Sequence, residues 1–487
     1  MSKKNQNYTN RKQNRFQPER MRGNVFLNNS GKHWLPGENG RAAKVERLLR
    51  GIKEEKKEIA GNMAGYKDSG VEWIGAIPKG WSVNKGKYIF NQAKKKPVYD
   101  TDEIITCFRD GEVTLRKNRR TDGFTMSDKE IGYQGIDKGD LIIHGMDGFA
   151  GAIGISDSRG KASPVLMVLD TKQIKSYMKY HLRAMASSGA IAALTTGIRV
   201  RSCDLRFSKL ENILFAIPPL HEQQRIADFL DAKCDILDRT IDAVSRQIED
   251  LEKYKKALIT KTVTKGICKK GEPERKMKDS GVEWIGEVPE EWSVSKVKYN
   301  FSTFKKIPGK ESEKYERLSL TMNGVKHREK WTAEGLQPKD FMSYQLLRKG
   351  DLVFRLIDLQ NPSKSRRVAL SHDTGLISPA YTILHADNNK MLPEYAEMFF
   401  LMMSYLDVFN ALGSCGVRSS INNAELMKIS VLVPPLAEQQ QIADYLNEKC
   451  KNIDNRVQKR RQQLEWLKKY KKSLIFDYVT GKKRVEK

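Results

Sequence analysis

The apolar positions of the chain fall into two repeated runs. Over residues 237–258 they are Leu237, Ile241, Val244, Ile248, Leu251, Tyr254 and Leu258, in steps of four, three, four, three, three and four. That spacing is close to a heptad and predicts a long helix with one apolar seam. A second run, Ile453, Val457, Arg460, Leu464, Leu467, Tyr470 and Leu474, repeats the seam with only Arg460 breaking it. Each run follows a short strand-like stretch, NILFAI or ISVLV, and then two prolines, Pro218-Pro219 and Pro434-Pro435. Proline suits a helix start, where its missing N–H has no intrahelical partner to lose. Glu222 and Glu438 lie in the first turn, where a negative charge suits the helix dipole. From Glu222 to Thr262 such a helix extends roughly 60 Å at 1.5 Å per residue. One helix of this kind cannot bury its seam alone, and the chain supplies one other, so the two seams are expected to face each other. Cys234 and Cys450, at equivalent positions, read as packing residues beside the seam.

Repetition extends beyond the helices. KDSGVEWIGAIPKGWSV at 67–83 returns as KDSGVEWIGEVPEEWSV at 278–294, with 13 of 17 positions identical. PPLHEQQRIADFLDAKC at 218–234 returns as PPLAEQQQIADYLNEKC at 434–450, with 12 of 17 identical. The intervening stretches, 84–214 and 295–430, share only fragments such as KGDL at 138–141 and 349–352. The order is therefore variable block, fixed helix, variable block, fixed helix. Two copies of one design carry different middles.

Composition narrows the partner. Eighty-seven Lys and Arg against sixty Asp and Glu leave a formal charge of +27 over 487 residues, with 39% hydrophobic residues. Such a surplus points to a polyanion, above all nucleic acid. No apolar run approaches the roughly 18 residues of a membrane span, and no signal-peptide core is present. The six Cys are scattered without a CxxC pair, as in a reduced intracellular protein without a structural zinc site. If the paired helices run antiparallel, the variable blocks lie at opposite ends and are related by a pseudo-twofold axis. They could then meet a duplex in two places and, being different, read two different half-sites.

Catalytic signatures are missing. Every Gly-Lys is followed by His, Tyr, Ala, Glu or Lys, so no GxxxxGK[ST] phosphate loop exists. GFAGAIG at 148–154 reads as a glycine-rich turn between strands, since no helix pattern follows it. No NPPY-like adenine-methyltransferase segment and no Pro-Asp dipeptide of a PD-(D/E)xK nuclease occurs. None of the seven His stands at metal-ligand spacing from another His or a Cys.

The alternation of divergent blocks with PPLxEQQxIAxxL helices resembles the specificity (S) subunit of type I restriction-modification enzymes. The KDSGVEWIGxxPxxW openings are similar to the starts of that family's target-recognition domains, and the resemblance covers residues 63–481. It implies an α/β fold: two globular target-recognition domains separated by two long helices forming an antiparallel coiled coil, with a pseudo-twofold internal repeat. Mapped onto the chain, residues 1–62 are a basic, disordered extension, 63–217 the first recognition domain and 218–266 the central spacer helix. Residues 267–433 are the second recognition domain, and 434–487 the C-terminal spacer helix and basic tail. The resemblance also implies double-stranded DNA, two methyltransferase subunits using S-adenosylmethionine, and motor-nuclease subunits using ATP and magnesium. This chain is expected to do no chemistry and to work in a prokaryotic cytoplasm. The competing reading is a non-catalytic assembly scaffold whose coiled coil recruits partners without sequence-specific DNA binding.

Candidate DNA contacts are Arg and Lys in polar, loop-like stretches, because a guanidinium matches the guanine edge and both side chains clamp phosphates. The first block offers Lys117, Arg119 and Arg120 beside Arg116 in TLRKNRRTDG, and Arg199 and Arg201, alternating as on one face of a strand, in TTGIRVRS. The second offers Lys364, Arg366 and Arg367 in NPSKSRRVAL and Arg418 in GVRSSINN. Each is either a DNA contact or a solvated surface charge. Trp73, Trp81, Trp284 and Trp292 recur in two differently specific readers, so they read as packing or docking residues rather than base-stacking ones. Tyr254 and Tyr470, each followed by two Lys, belong either to a methyltransferase-docking surface or to a solvated helix end. Residues 1–62 hold fifteen Lys and Arg against six Glu. They are either a nucleic-acid-binding arm or untranslated sequence upstream of a start at Met63.

Overall fold

The computed structural model describes residues 65–119, 130–193, 205–267, 275–303, 305–330, 340–359, 366–413 and 419–485. The N-terminal extension expected over 1–62 lies outside them. The fold is mixed α/β. A hairpin of Tyr66–Asp68 with Ala76–Pro78 belongs to a small unit of its own, and residues 71–74 and 80–487 form the other. The larger unit holds the variable blocks and both long helices.

Each variable block is closed at its ends by backbone pairing. Ser82–Lys85 runs antiparallel to Leu214–Ile217, with Ser82 opposite Ile217. Ser293–Lys296 does the same with Ser430–Val433, with Ser293 opposite Val433. The strand that follows each WSV tripeptide's tryptophan is therefore hydrogen-bonded to the strand just before each Pro-Pro. Both strand-like runs read from the apolar pattern are strands.

The interiors of the blocks share one topology despite their sequence divergence. In the first, a four-stranded sheet has the order Phe90–Gln92, Leu166–Thr171, Leu141–His144, Ile153–Ile155. In the second, the order is Phe301–Ser302, Thr382–Ala386, Leu352–Phe354, Val368–Leu370. A helix follows each sheet: α1, Lys175–Ser187, in the first block, and a counterpart at Pro393–Tyr405 in the second. The shared KGDL fragment is a turn with the same wiring twice. Gly139 and Gly350 take φ of 88° and 89°, a left-handed conformation that costs glycine little. The buried Asp140 and Asp351 carboxylates accept from the amides of Asp137 and Arg348, each at 2.8 Å. GFAGAIG forms a single 3₁₀ turn, Gly148–Ala150, between two strands, as its glycine spacing predicts.

The two helices predicted from the apolar seams are α2, Leu220–Lys265 (46 residues), and, after α3 (Pro393–Tyr405), α4, Leu436–Val479 (44 residues). Pro219 and Pro435 are their N-caps. Their seams pack together: Val244 and Ile248 of α2 form one buried cluster with Ile453, Val457 and Leu467 of α4. Burial of aliphatic side chains of this size is worth about 1.5–3 kcal/mol each. Direction follows from the cross-helix ion pairs. Asp238 meets Lys471, Glu252 meets Arg461 and Lys255 meets Asp454, so numbers rise on one helix as they fall on the other.

The seam departs from its predicted membership at two places. Tyr254 is 58% exposed and Tyr470 43% exposed. The neighbouring lysines, Lys255 and Lys471, turn to the partner helix instead. At about 100° per residue a straight helix brings Lys255 and Lys471 within the seam and leaves each tyrosine about 90° from its mean direction. Arg460, the expected break, is exposed and donates to Gln463 at 2.7 Å. Cys234 and Cys450 are free and buried, as their packing role requires.

Candidate nucleic-acid interface

The fixed motifs build one joint, and build it twice. The Trp81 indole N–H donates to Glu222 in the first turn of α2 at 3.1 Å, and Trp292 donates to Glu438 of α4 at 2.8 Å. The next residue, Gln223 or Gln439, is wholly buried. Its carbonyl accepts from the Ile174 or Leu392 amide, at 3.0 and 2.8 Å, at the start of the block's own helix. Its amide donates to Pro218 or Pro434, each at 2.8 Å. The WxV…PPLxEQQ pattern is thus a hydrogen-bonded key that fixes a block to the first turn of a long helix. Buried amides and carboxylates are costly unless so paired.

Each block also grips the far end of the other long helix. The Tyr177 hydroxyl of α1 donates to the Val479 carbonyl at the end of α4 at 3.1 Å, and Tyr395 of α3 donates to Val263 at the end of α2 at 3.3 Å. Trp73 packs edge-on against His181 and near Phe476, as Trp284 packs against Phe399. Trp81 and Trp292 are buried. All four tryptophans are therefore packing residues.

The DNA-contact candidates are dispersed. Arg120, Arg199, Arg201, Lys364 and Arg418 lie outside the described residues. Lys117 and Arg119 lie at the 3₁₀ turn Arg116–Asn118. Lys117 reaches Glu103 at 2.5 Å. Arg119 reaches Asp110 at 2.6 Å and Glu112 at 2.9 Å and lies over the Phe108 ring. Both are at the surface, and their carboxylate partners are exposed enough to exchange for a phosphate.

Arg366 and Arg367 line one cavity but are held by different partners. Arg366 donates through Nε to the Met322 carbonyl at 2.9 Å and lines a cavity of about 940 Å³ beside α2 and α4. Arg367 is only 7% exposed, and its guanidinium donates to the carbonyls of Ile357, Asp358 and Leu359. Burial, helped by the Arg355 guanidinium, pushes its pKa down to about 10. In place of the DNA contact expected of it, the Arg367 guanidinium braces the 357–359 loop. Sequence reading missed Lys326, which lines the same cavity from the strand Gly324–Arg328. The Asn323-Gly324 pair before it is a hairpin signal that could have placed it. Among the described residues no group of His, Cys, Asp and Glu could hold a metal ion. No described helix is long and apolar enough to cross a membrane.

A family model, the type I restriction modification DNA specificity domain, matches residues 82–253, from the first closing strand into α2. The type I restriction enzyme MjaVIII specificity subunit of Methanocaldococcus jannaschii is 26% identical over 434 residues, covering 84% of this chain and 94% of the relative. Both the family model and this relative are thus of the specificity subunits of type I restriction enzymes, which the chain resembles over most of its length. A second relative from the same organism, the putative MjaX specificity subunit, is 25% identical over 434 residues, covering 85% of this chain and 96% of its own. Among solved structures, one concerning complex assembly and conformational transition of the type I R-M system aligns with a TM-score of 0.55 at 12% identity. It covers 83% of this chain and 98% of that one, and so supports the fold.

Proposed function

We propose that this chain is a specificity subunit that reads a split, asymmetric DNA site, with one half-site per variable block, and scaffolds the catalytic subunits of its complex. In this reading residues 63–217 and 267–433 are the two target-recognition domains. Residues 218–266 and 434–487 form the antiparallel coiled-coil spacer and a basic tail. The observation that carries the reading is the reciprocal joint. Each block is keyed to the start of one long helix through Glu222 or Glu438, and tied to the end of the other through Tyr177 or Tyr395. Two unlike readers so fixed are related by a pseudo-twofold axis, which suits the local twofold symmetry of duplex DNA. A 46-residue helix extends about 69 Å, roughly two turns of duplex, so helix length and not base contact sets the gap.

The chain itself supplies binding and geometry. S-adenosylmethionine belongs to two methyltransferase subunits, and ATP and magnesium to motor-nuclease subunits, working together in the cytoplasm. Lys117, Arg119, Arg120, Arg199, Arg201, Lys364, Arg366 and Arg418 are the proposed contacts. The test is a map of methylated adenines in host DNA with and without the gene. A bipartite motif with unlike halves that vanishes on deletion is the expected result. An unchanged methylation map, together with no salt-dependent duplex binding, would return the chain to a scaffold without DNA specificity.

A further inference from the structure

The second block and the two long helices together line the 940 Å³ cavity. Its walls carry six cations: Lys255 and Lys256 from α2, Arg461 from α4, and Lys326, Arg366 and Arg367 from the block. Three carboxylates, Glu252, Asp407 and Asp454, line the same space, and Glu397 behind the wall reaches Arg366 at 3.7 Å, so cations still outnumber carboxylates. Two of the carboxylates are already engaged, Asp454 with Lys255 and Glu252 with Arg461, each at 2.6 Å. Among the described residues Lys256 and Lys326 make no ion pair, and Lys256 lies 5.5 Å from the centre of the Tyr405 ring. The guanidinium of Arg367 is held by carbonyl oxygens, and its depressed pKa is the mark of positive charge crowded in a poorly solvated place. Concave walls of one sign focus their field and draw in the opposite charge.

Size and lining narrow the class of anion. A volume of 940 Å³ lies toward the upper end of the range for small-molecule sites, roughly 300–1,000 Å³, and far exceeds a bare phosphate. Tyr405 and Phe409 add apolar wall on which a sugar can rest. We propose that this cavity binds a nucleotide phosphate, supplied by the sugar–phosphate backbone of duplex DNA between the two half-sites. The proposal rests on the reading of the chain as a DNA specificity subunit and extends it. The helices then contribute affinity as well as spacing, and the contact fixes the position of the second block along the duplex without reading a base.

The test uses the full-length protein purified from its host cell and a 40-bp duplex, with the dissociation constant followed against salt. Lys256→Ala with Lys326→Ala removes two cations that hold no ion pair. The slope of log affinity against log salt should fall by about 1–2, and affinity near 0.15 M salt by about tenfold, for duplexes of any sequence. Asn323→Trp, at an exposed turn on the rim, narrows the mouth of the cavity without changing charge and should also weaken binding. Lys209→Ala with Lys298→Ala, outside the cavity, should leave the slope as it was. An unchanged slope in the first variant overturns the proposal. So does undiminished binding in Asn323→Trp, because charge would then be acting from a distance. Adenosine monophosphate is titrated in parallel. Binding of that nucleotide, lost in the variants while duplex affinity holds, would overturn DNA as the source and leave a free-nucleotide site. A wild-type protein without salt-dependent duplex binding would instead remove the specificity reading, and the mononucleotide titration would then test the cavity alone.

Discussion

Lys255 of α2 holds Asp454 of α4 at 2.6 Å, and their counterparts 216 residues away, Lys471 and Asp238, hold each other at the same distance. Residue i meets j, and the copy of i meets the copy of j, as across the interface of a symmetric dimer. Here both copies are in one chain. Each lysine is largely covered while each aspartate is about half exposed, so solvent screens the pairs. Double-mutant cycles with Lys→Met and Asp→Asn should give a coupling of about 0.2–1 kcal/mol for each pair. Urea unfolding measures it. Unequal couplings, one absent and one near 1 kcal/mol, would contradict the equivalence of the two ends.

Burial along the seam separates Ile248 from Tyr254. Ile248→Ala should cost about 2–4 kcal/mol of stability, whereas Tyr254→Ala should stay within about 0.5 kcal/mol. Thermal unfolding of the two variants distinguishes a seam that includes the tyrosine from one that does not.

The indole–carboxylate key predicts an asymmetry between copies. Glu222 meets Trp81, whereas Glu438 meets both Trp292 and Arg275, the latter at 2.9 Å. Glu222→Ala should cost about 1–2 kcal/mol and Glu438→Ala about 2–3 kcal/mol, since the second also strands a guanidinium. Equal losses in denaturant titrations would count against the extra arginine bond.

His181 gives the fold a pH dependence. It is wholly buried among the rings of Trp73, Tyr177 and Phe215, and burial pushes its pKa down to about 4 from the ordinary 6.5. Between those values the unfolded chain takes up a proton that the folded chain refuses, so stability declines as pH falls from 6.5 towards 4. The loss amounts to about 3 kcal/mol at the acid end. Phe399 fills the matching place in the second block, packed on Trp284 as His181 is on Trp73. His181→Phe should therefore remove this part of the acid sensitivity. Identical stability–pH curves for the wild type and His181→Phe would refute the assignment.

The two neighbouring arginines should separate binding from folding. Arg366→Ala should weaken DNA binding and, losing one carbonyl bond and the Glu397 pair, should lower the melting temperature less than Arg367→Ala does. Arg367→Ala leaves three carbonyls without their donor and should cost about 2 kcal/mol or more of stability. Arg199→Ala and Arg418→Ala should each lower affinity for the specific duplex by about 1–3 kcal/mol where the contact is to a base. Unchanged binding in both would remove that pair from the interface.

Much of the framework was legible because it is periodic or repeated. The seams and the strands before Pro-Pro are written in short-range pattern, whereas KGDL showed itself only as a repeated fragment and not as a turn. The joints were not, because Trp81 and Glu222 stand 141 residues apart and no local rhythm couples them. Heptad counting assigned Tyr254 to the seam since it is apolar at an allowed step. The structure chose Lys255, whose long stem reaches across to an aspartate. Arg366 and Arg367 are both basic in the sequence, and only the partners that hold each one tell them apart. The remaining candidates in the blocks follow no such rule, since a loop arginine carries the same letters whether it meets a base, a phosphate or water.

The side-by-side strands that close each block have an evolutionary corollary. Chain enters and leaves the block through adjacent threads of one ladder, so whatever lies between them is a cassette plugged into a two-pin socket. Recombination within the near-identical flanking stretches can exchange the cassette while the socket keeps its register. The frame then carries a different cassette without redesign.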